Sequence, residues 1–349
     1  MSPEAGIRSM ELVGLRQVQD AAARLEGVAL RTPLLPGELP DGSTAWLKCE
    51  SLQRAGAFKV RGAYNFVSLL TPEQRGAGLV AYSSGNHAQG VAYAARAYGV
   101  PATIVMPVDA PRVKVEGVRR LGAKIELVGT TAPDREARAL EIEKQEGATM
   151  VPPFDHPNII AGQGTTALEI WDQLDEAAAR GEEAAGDPGL VLVPIGGGGL
   201  LSGCAVVLRE LAPECRIVGV EPEGADDTRR SLEAGRPVAL ERVDTIADGL
   251  RPPRPGDLTF AHIRELVDEV VTVPDAALVD AVLWCFHRHL VVEPSGAASV
   301  AALLCGAADP AWAEDGDVAC VLSGGNVDPV VLAGWLEERA GDGPEDGGA

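Results

Sequence analysis

Residues 190–199 read Leu190-Val191-Leu192-Val193-Pro194-Ile195-Gly196-Gly197-Gly198-Gly199, an apolar run that ends in four glycines. The helical pattern of residues 200–211 follows at once. Such a run is typical of a strand buried on both faces, and a strand leading directly into a helix is typical of an α/β sheet. Glycines let backbone amides approach an anion closely, and a helix N-terminus favours negative charge. This stretch therefore favours a phosphate-binding turn over a flexible connection or a dinucleotide loop.

The same alternation of strands and helices extends over most of the chain. Short apolar runs predict strands at residues 79–83, 102–106, 125–128, 190–195, 217–220, 270–273 and 318–322. Alanine-rich amphipathic patterns between them predict helices at residues 87–98, 133–145, 165–174 and 275–289. Alternation of this kind predicts an α/β fold of open parallel sheets with helices on both faces.

Lys59 is a candidate for imine chemistry, in the run Phe58-Lys59-Val60-Arg61-Gly62. The chain has only five lysines, and its other basic residues are arginines. An arginine side chain stays protonated and cannot form an imine, whereas a desolvated lysine can do so. One amine for a Schiff base and one backbone cradle for a phosphate together suggest pyridoxal phosphate.

Composition excludes several classes of partner. The formal net charge is −21, which argues against nucleic acid and anionic membranes because both attract clustered positive charge. No apolar run approaches the ~20 residues that span a bilayer, and the N-terminus does not resemble a signal peptide. The six cysteines contain no CxxC pair, so we expect free thiols in a reducing cytoplasm.

Polar residues also follow other predicted strands. Ser83, Ser84, Gly85, Asn86 and His87 follow one of them, and their hydroxyls, amide and free N–H groups suit a small carboxylate or plain helix capping equally well.

Two further strand ends carry polar groups. Ser323 ends another strand in a common turn, and its hydroxyl should face the same crevice. The acidic loop at residues 221–227 offers oxygen ligands for a hard cation, although such loops are more often simply solvated.

In combination, these runs resemble the fold-type II pyridoxal phosphate enzymes, specifically the threonine/serine dehydratase and serine racemase group. The motifs are residues 50–53, 58–63, 84–90, 161–165, 196–199, 293–297 and 323–326, and the similarity extends from about residue 22 to residue 336. Several motifs in the same order are far more specific than one glycine loop.

The resemblance implies a role for each matching residue. It implies that Lys59 binds the cofactor as an imine and later takes the substrate Cα proton. Asn86 would bind the phenolic oxygen, Phe58 would flank the ring and Ser323 would meet the pyridine nitrogen. Gly196, Gly197, Gly198 and Gly199 would bind the phosphate, and Ser83, Ser84, Gly85, Asn86 and His87 would bind the substrate carboxylate.

The resemblance also bears on metal, domains and assembly. Glu221, the Ala225 carbonyl and Asp227 match a divalent-metal loop of the racemase branch, which reverses the preference for a solvated turn and suggests Mg²⁺, Mn²⁺ or Ca²⁺. It implies a tryptophan synthase beta-like, two-domain fold. Residues 1–70 and 156–338 would form the large cofactor-binding domain, 71–155 the small domain, and 339–349 a disordered acidic tail. A homodimer is expected.

The function expected from the resemblance is an ammonia-lyase that converts L-threonine and/or L-serine to a 2-oxo acid and ammonia. Ser84 matches the second acid/base of serine racemases, whereas Phe154 is more like the dehydratases. The alternatives are a serine racemase with dehydratase side activity or a dehydratase of another β-hydroxy amino acid. A different class, a non-catalytic phosphate- or nucleotide-binding protein, would use the glycine run alone.

Overall fold

The computed structural model describes residues 10–83, 85–110, 112–182 and 186–341, and within them ten strands form two sheets. The strands are β1 (Leu34–Glu38), β2 (Thr44–Lys48), β3 (Leu79–Tyr82), β4 (Ala102–Met106), β5 (Lys124–Leu127), β6 (Thr149–Met150), β7 (Pro188–Pro194), β8 (Arg216–Pro222), β9 (Glu269–Val273) and β10 (Asp317–Val321).

Helices connect and cover these strands. They are α1 (Leu15–Leu25), α2 (Lys59–Ser68), α3 (Pro72–Gly76), α4 (Asn86–Tyr98), α5 (Arg112–Arg120), α6 (Ala132–Glu146), α7 (Pro157–Ala179), α8 (Gly199–Leu211), α9 (Asp227–Ala234), α10 (Asp257–Leu266), α11 (Asp275–Phe286), α12 (Pro294–Leu304) and α13 (Pro329–Gly341). Short 3-10 helices occur at Glu50–Leu52, Arg54–Gly56, Glu223–Ala225, Asp248–Leu250 and Pro310–Ala313.

The larger sheet has the order β1-β2-β10-β7-β8-β9. Its neighbouring strands are parallel except for the β1–β2 pair, which is antiparallel. The predicted parallel sheet therefore has one antiparallel pair at this edge, and both strands of the hairpin were missed. The reason is local: β1 contains Pro36 and Gly37, and its residues do not alternate between buried and exposed. An edge strand tolerates both features because one side of its backbone needs no ladder partner.

The smaller sheet has the order β5-β4-β3-β6, and all of its pairs are parallel. Its strands β3, β4 and β5 correspond to apolar runs predicted from the sequence, with ends that differ by at most one residue. The two-residue strand β6 was missed because it is too short to give a pattern. Helices α4, α5 and α6 follow β3, β4 and β5 along the chain, as the alternation predicts.

The core explains why a central strand of the larger sheet such as β7 has a continuous apolar run. Leu190 and Leu192 of β7 belong to the apolar cluster on one face of the sheet. Val191 and Val193 belong to the cluster on the other face. Successive side chains of a strand point to opposite faces, so a sheet covered on both sides requires apolar residues at every position.

Helices α7 and α8 approach each other closely through glycines. A Cβ atom added to Gly203 would lie 2.4 Å from the Ile160 carbonyl oxygen and 2.5 Å from the Gly164 nitrogen. Only the absence of a side chain allows this contact, which holds the helix following the glycine run against α7.

A buried ionic network holds the start of α2. Arg61 donates to Glu50 and Glu169, and Lys48 donates to Glu169 and Gln173. Arg61 and Glu50 are almost completely inaccessible to solvent. Charges taken out of water must be paired, so this network fixes α2, whose first residue is Lys59.

Two further expectations concern membranes and the end of the chain. Among the described residues, no helix is both long and apolar enough to cross a bilayer. Helix α13 reaches Gly341, inside the tail predicted at residues 339–349. Residues 342–349 lie outside the part of the chain that the structure describes.

Candidate active site

Lys59 begins α2, and its amine contacts the segment that follows β6 of the smaller sheet. Its Nζ atom donates to the Pro153 carbonyl oxygen at 2.8 Å and lies 5.2 Å from the centre of the Phe58 ring. The side chain keeps partial access to solvent, yet burial lowers its pKa to about 8. An amine with a lowered pKa is available in its neutral, nucleophilic form near physiological pH.

The glycine run forms the turn between β7 and α8. Gly198 has φ of +91°, a left-handed conformation that favours glycine. A Cβ atom on Gly197 would lie 2.2 Å from the Phe154 ring, and one on Gly196 would lie 2.9 Å from the Gly249 carbonyl oxygen. Helix α8 begins at Gly199, so its free backbone N–H groups point out of this turn. The turn has the shape and polarity of an anion cradle.

The amine and the glycine turn belong to one site because consecutive residues contact them. Pro153 accepts the hydrogen bond from Lys59, and Phe154 packs on Gly197 and Gly199. The arrangement offers an amine that can react with an aldehyde and a backbone turn that can bind a phosphate.

Thr259 orients the glycine turn from α10. Its hydroxyl donates to the Gly197 carbonyl oxygen at 2.7 Å, and its side chain is completely buried. The N-terminus of α10 is capped by Asp155, which accepts hydrogen bonds from the backbone N–H groups of residues 257, 258 and 259. Residues 153–155 therefore contact the amine, the turn and the helix that orients the turn.

Ser323 and the neighbouring Gly324 lie beside the start of α2. The Phe58 N–H donates to the Ser323 carbonyl oxygen at 3.2 Å, and Ala57 forms an isolated bridge with Gly324. The Ser323 side chain is buried, and its hydroxyl lies 3.4 Å from the Ser295 carbonyl oxygen. A neutral hydroxyl at this depth suits a neutral ring nitrogen, because no carboxylate partner would hold a proton there.

Asn86 is the first residue of α4 and is held by two polar side chains. Its Nδ2 atom donates to Glu293 Oε1, and its Oδ1 atom accepts from Asn326 Nδ2 at 2.8 Å. A Cβ atom on Gly324 would lie 2.9 Å from Asn86 Nδ2. Asn86 therefore lies next to the Ser323–Gly324 turn, near the backbone that leads to Lys59.

Three other residues of the predicted carboxylate loop, Ser83, Gly85 and His87, are described. The Gly85 N–H donates to Ser83 Oγ at 3.2 Å. His87 is buried with Nε2 2.9 Å from the Val151 carbonyl oxygen. Burial is the main cause that lowers the pKa of His87 to about 3, and the positive charge of Lys59 is the second. His87 is therefore neutral at physiological pH. Ser84 lies outside the described residues.

The acidic loop lies at the end of β8, apart from these residues. Glu221 accepts from the backbone N–H groups of Thr228 and Arg229 at 2.9 and 3.0 Å, which caps α9. Burial raises the pKa of Glu221 to about 7; burial and the Glu221 charge raise that of Asp227 to about 8. No cluster of three or more His, Cys, Asp or Glu residues suited to a metal occurs in the described part of the chain.

Three ionisable residues near Asn86 were given no role in the sequence analysis, and they are Lys114, Asp248 and Glu293. Lys114 pairs with Asp248, and its Nζ atom lies 3.9 Å from Glu293 Oε2. Glu293 is 2% exposed, and burial raises its pKa to about 7. The positive charge of Lys114 acts in the opposite direction and lowers this pKa, but burial has the larger effect. One available signal was the scarcity of lysine, which singles out Lys114 as well as Lys59.

Comparison with known proteins agrees with this geometry. The family model described as pyridoxal-phosphate dependent enzyme matches residues 26–324, so the chain belongs to this family. The chain is 44% identical over 298 residues to an L-threo-3-hydroxyaspartate ammonia-lyase of Pseudomonas sp, covering 84% of this chain and 90% of the relative. It is 41% identical over 321 residues to an L-threonine ammonia-lyase of Thermotoga maritima, covering 91% of this chain and 76% of the relative.

The fold also matches a solved structure. Maize serine racemase superposes with a TM-score of 0.86 at 38% identity, covering 95% of this chain and 99% of that one. The predicted fold class, the family and the requirement for pyridoxal phosphate are therefore confirmed. The chain is an enzyme, and the alternative of a non-catalytic nucleotide-binding protein loses its support.

Proposed function

We propose that this protein is a pyridoxal phosphate-dependent ammonia-lyase that converts L-threonine, L-serine or L-threo-3-hydroxyaspartate to a 2-oxo acid and ammonia. One observation carries the proposal. The Lys59 amine and the glycine turn are joined through Pro153 and Phe154, in a chain whose relatives include ammonia-lyases of two of these substrates.

One group of residues would hold the cofactor. Pyridoxal phosphate, when bound, supplies the electron sink that stabilises negative charge at the substrate Cα. Gly196, Gly197, Gly198 and Gly199 would bind its phosphate at the start of α8, with Phe58 beside the ring. Asn86 would donate to its phenolic oxygen, and Ser323 would face its ring nitrogen.

Lys59 and the loop after β3 would act on the substrate. Backbone N–H groups and side chains of residues 83–87 would bind the substrate carboxylate at the N-terminus of α4. The Lys59 amine, once free, would take the Cα proton, for which a pKa of about 8 is well matched. The β-hydroxyl leaves with a proton as water, and later hydrolysis of the carbon–nitrogen bond consumes one water and releases ammonia.

The test is an assay of 2-oxo acid formation from L-threonine, L-serine, D-serine and L-threo-3-hydroxyaspartate. The wild-type protein should deaminate at least one of the L-amino acids, and Lys59→Ala should abolish both turnover and the visible absorbance of the imine. A wild-type protein saturated with pyridoxal phosphate that releases no 2-oxo acid from any of them would refute the proposal.

A second candidate activity is the racemisation of serine. It is favoured by the likeness to maize serine racemase and by Ser84, the residue expected to act as an acid/base opposite Lys59. Ser84→Ala should then remove D-serine formation and spare much of the elimination, which depends on Lys59. Undiminished D-serine formation by Ser84→Ala would exclude this role.

The acidic loop would bind a structural divalent cation. Asp227 Oδ2 is buried and has no hydrogen-bond partner among the described residues, and Glu221 lies near enough to raise its pKa. Two desolvated carboxylates with raised pKa values fit a hard cation, to which Ala225 would add a carbonyl oxygen. EDTA should lower thermal stability, and Mg²⁺, Mn²⁺ or Ca²⁺ should restore it. The thermal stability of Glu221→Gln should respond neither to EDTA nor to the added cation. If EDTA left the thermal stability of the wild type unchanged, the site would be rejected.

We also propose the expected organisation and location. The small domain at residues 71–155 coincides with the four-stranded sheet, and the remainder up to residue 338 with the six-stranded sheet. A homodimer would cover exposed apolar side chains such as those of Leu52 and Val291. Light scattering would show a dimer, and a monomer at micromolar concentration would refute it. The high acidic charge and the free cysteines suit a cytoplasmic enzyme without nucleic acid or membrane partners.

A further inference from the structure

Lys114 lies where the two sheets face each other. It belongs to α5, which follows β4 of the four-stranded sheet, and its side chain is 6% exposed. The residue it pairs with, Asp248, belongs to the 3-10 helix Asp248–Leu250 between β8 and β9 of the six-stranded sheet. The pair therefore links the parts of the chain built on the two sheets.

The ammonium of Lys114 also lies close to residues that belong to the candidate active site. Its Nζ atom is 3.9 Å from Glu293 Oε2, an oxygen that is buried and accepts no hydrogen bond among the described residues. The other oxygen of Glu293 accepts from Asn86. A Cβ atom on Gly85 would lie 3.7 Å from Nζ, so the ammonium sits beside the loop expected to bind the substrate carboxylate.

We propose that Lys114 is a positioning residue that holds the loop at residues 83–87 in its substrate-binding place. It does so by bridging Asp248 and Glu293 across the cleft, and Glu293 in turn holds the side chain of Asn86. The proposal rests on the proposed function, because it assigns the substrate carboxylate to that loop.

The charges explain why Lys114 should affect substrate binding more than cofactor binding. The ammonium faces two carboxylates, and one of them is almost completely buried. Without the ammonium, both carboxylates would face each other beside the place of an anionic substrate group. Like charges in a poorly solvated site repel strongly, so the cleft should open and the substrate should bind weakly. Lys59 donates to Pro153 and not to a residue of this cluster, so the imine should still form.

The test compares variants of the cluster with a matched control. Lys114→Met removes the ammonium and keeps the length of the side chain, Lys114→Arg keeps the charge, and Asp248→Asn removes one carboxylate. The control is Lys124→Met on β5, whose ammonium pairs with Glu126 at 2.8 Å but is 59% exposed. Each protein is saturated with pyridoxal phosphate and assayed with the hydroxy amino acid that the wild type deaminates fastest.

Lys114→Met should raise KM at least about tenfold, since truncating one partner of a buried charge pair is costly. Its imine should still form, Lys114→Arg should recover most of the affinity, and Lys124→Met should be unchanged. Asp248→Asn should raise KM less, and the double variant should fall short of the product of the two single effects because they share one interaction.

Hydrogen exchange provides a readout that needs no turnover. Deuterium uptake at residues 83–90 should increase in Lys114→Met and Asp248→Asn, and should be unchanged in Lys124→Met. A wild-type KM and wild-type exchange in Asp248→Asn would overturn the proposal, even if Lys114→Met failed to fold. The proposal would also be overturned if the KM increase of the double variant equalled the product of the increases of the two single variants. A wild-type protein with no lyase activity but with the predicted exchange changes would instead refute the proposed function.

Discussion

Thr259 provides a sharp test of how the glycine turn is held. Its hydroxyl donates to the Gly197 carbonyl oxygen at 2.7 Å, and both residues are buried. Thr259→Val has nearly the same shape but no donor, so the buried carbonyl loses its partner. An unsatisfied buried group costs about 1–3 kcal/mol, and the added methyl group returns about 0.8 kcal/mol at most. The net loss of stability should be about 1–2 kcal/mol.

Thr166 in α7 is a matched control for this change. It is completely buried as well, but its hydroxyl has no hydrogen-bond partner among the described residues. Thr166→Val therefore removes a desolvated polar group without breaking a bond, and it should be neutral or stabilising by up to about 1 kcal/mol. The same substitution should lower the free energy of unfolding at position 259 and should not lower it at position 166.

The assay is guanidinium denaturation of the apoprotein, followed by circular dichroism, together with titration by pyridoxal phosphate. Thr259→Val should also weaken cofactor binding, because the peptide between Gly197 and Gly198 is free to turn. Thr259→Ser should restore much of both properties, and Thr166→Val should bind the cofactor normally. Equal free energies of unfolding for the two valine variants would refute the role given to this hydrogen bond.

Three further predictions concern the buried amine, the close helix contact and the ionic network. Burial lowers the pKa of Lys59 to about 8 from an ordinary value of 10.5, so between these pH values the unfolded chain binds the extra proton. Apoprotein stability should therefore rise with pH across this window relative to Lys59→Met, and parallel pH curves for the two proteins would contradict the assignment. Gly203→Ala should cost about 1–3 kcal/mol in thermal or chemical denaturation, because its methyl group would lie 2.4 Å from a backbone oxygen. Gly76→Ala meets no atom within 4 Å and should be harmless, so equal effects would argue against the close approach of α7 and α8. Glu50→Gln should cost about 3–5 kcal/mol because it leaves part of the buried Arg61 charge unpaired. Glu176→Gln, in the exposed pair with Arg31, should change the denaturation midpoint little, and a similar midpoint for the two variants would refute the difference.

The sequence predicted seven of the eight strands that pair only in parallel, and it missed the β1–β2 hairpin and the two-residue strand β6. Apolar runs such as residues 190–195 and 318–322 are visible because every side chain meets a covering layer. Strands β1 and β2 gave no such pattern, since β1 is mostly exposed and β2 acquires its place by pairing with β10, far along the chain. The order of the strands in each sheet could not be predicted from the sequence. It depends on which apolar runs pair with each other and not on the composition of any one run.

The chemical elements of the site were predictable where they are local. Lys59 stood out because lysine is rare here and imine formation needs an amine, and the glycine turn stood out because a strand, four glycines and a helix are contiguous. By itself, the sequence thus determined the cofactor class, the α/β fold and the enzyme family. Each follows from the composition of a short segment or from motifs in a fixed order.

Only the tertiary structure decided which residues surround those elements. Lys114 meets Asp248 from 134 positions away, and Asn86 meets Glu293 from 207 positions away. Contacts over such separations leave no periodic pattern, because they depend on how the two sheets are packed together. The same holds for Thr259, whose hydroxyl reaches Gly197 only because α10 is capped by Asp155 and packs beside the turn. Local segments can carry chemical groups, but only packing brings distant groups within hydrogen-bonding distance and removes the water between them.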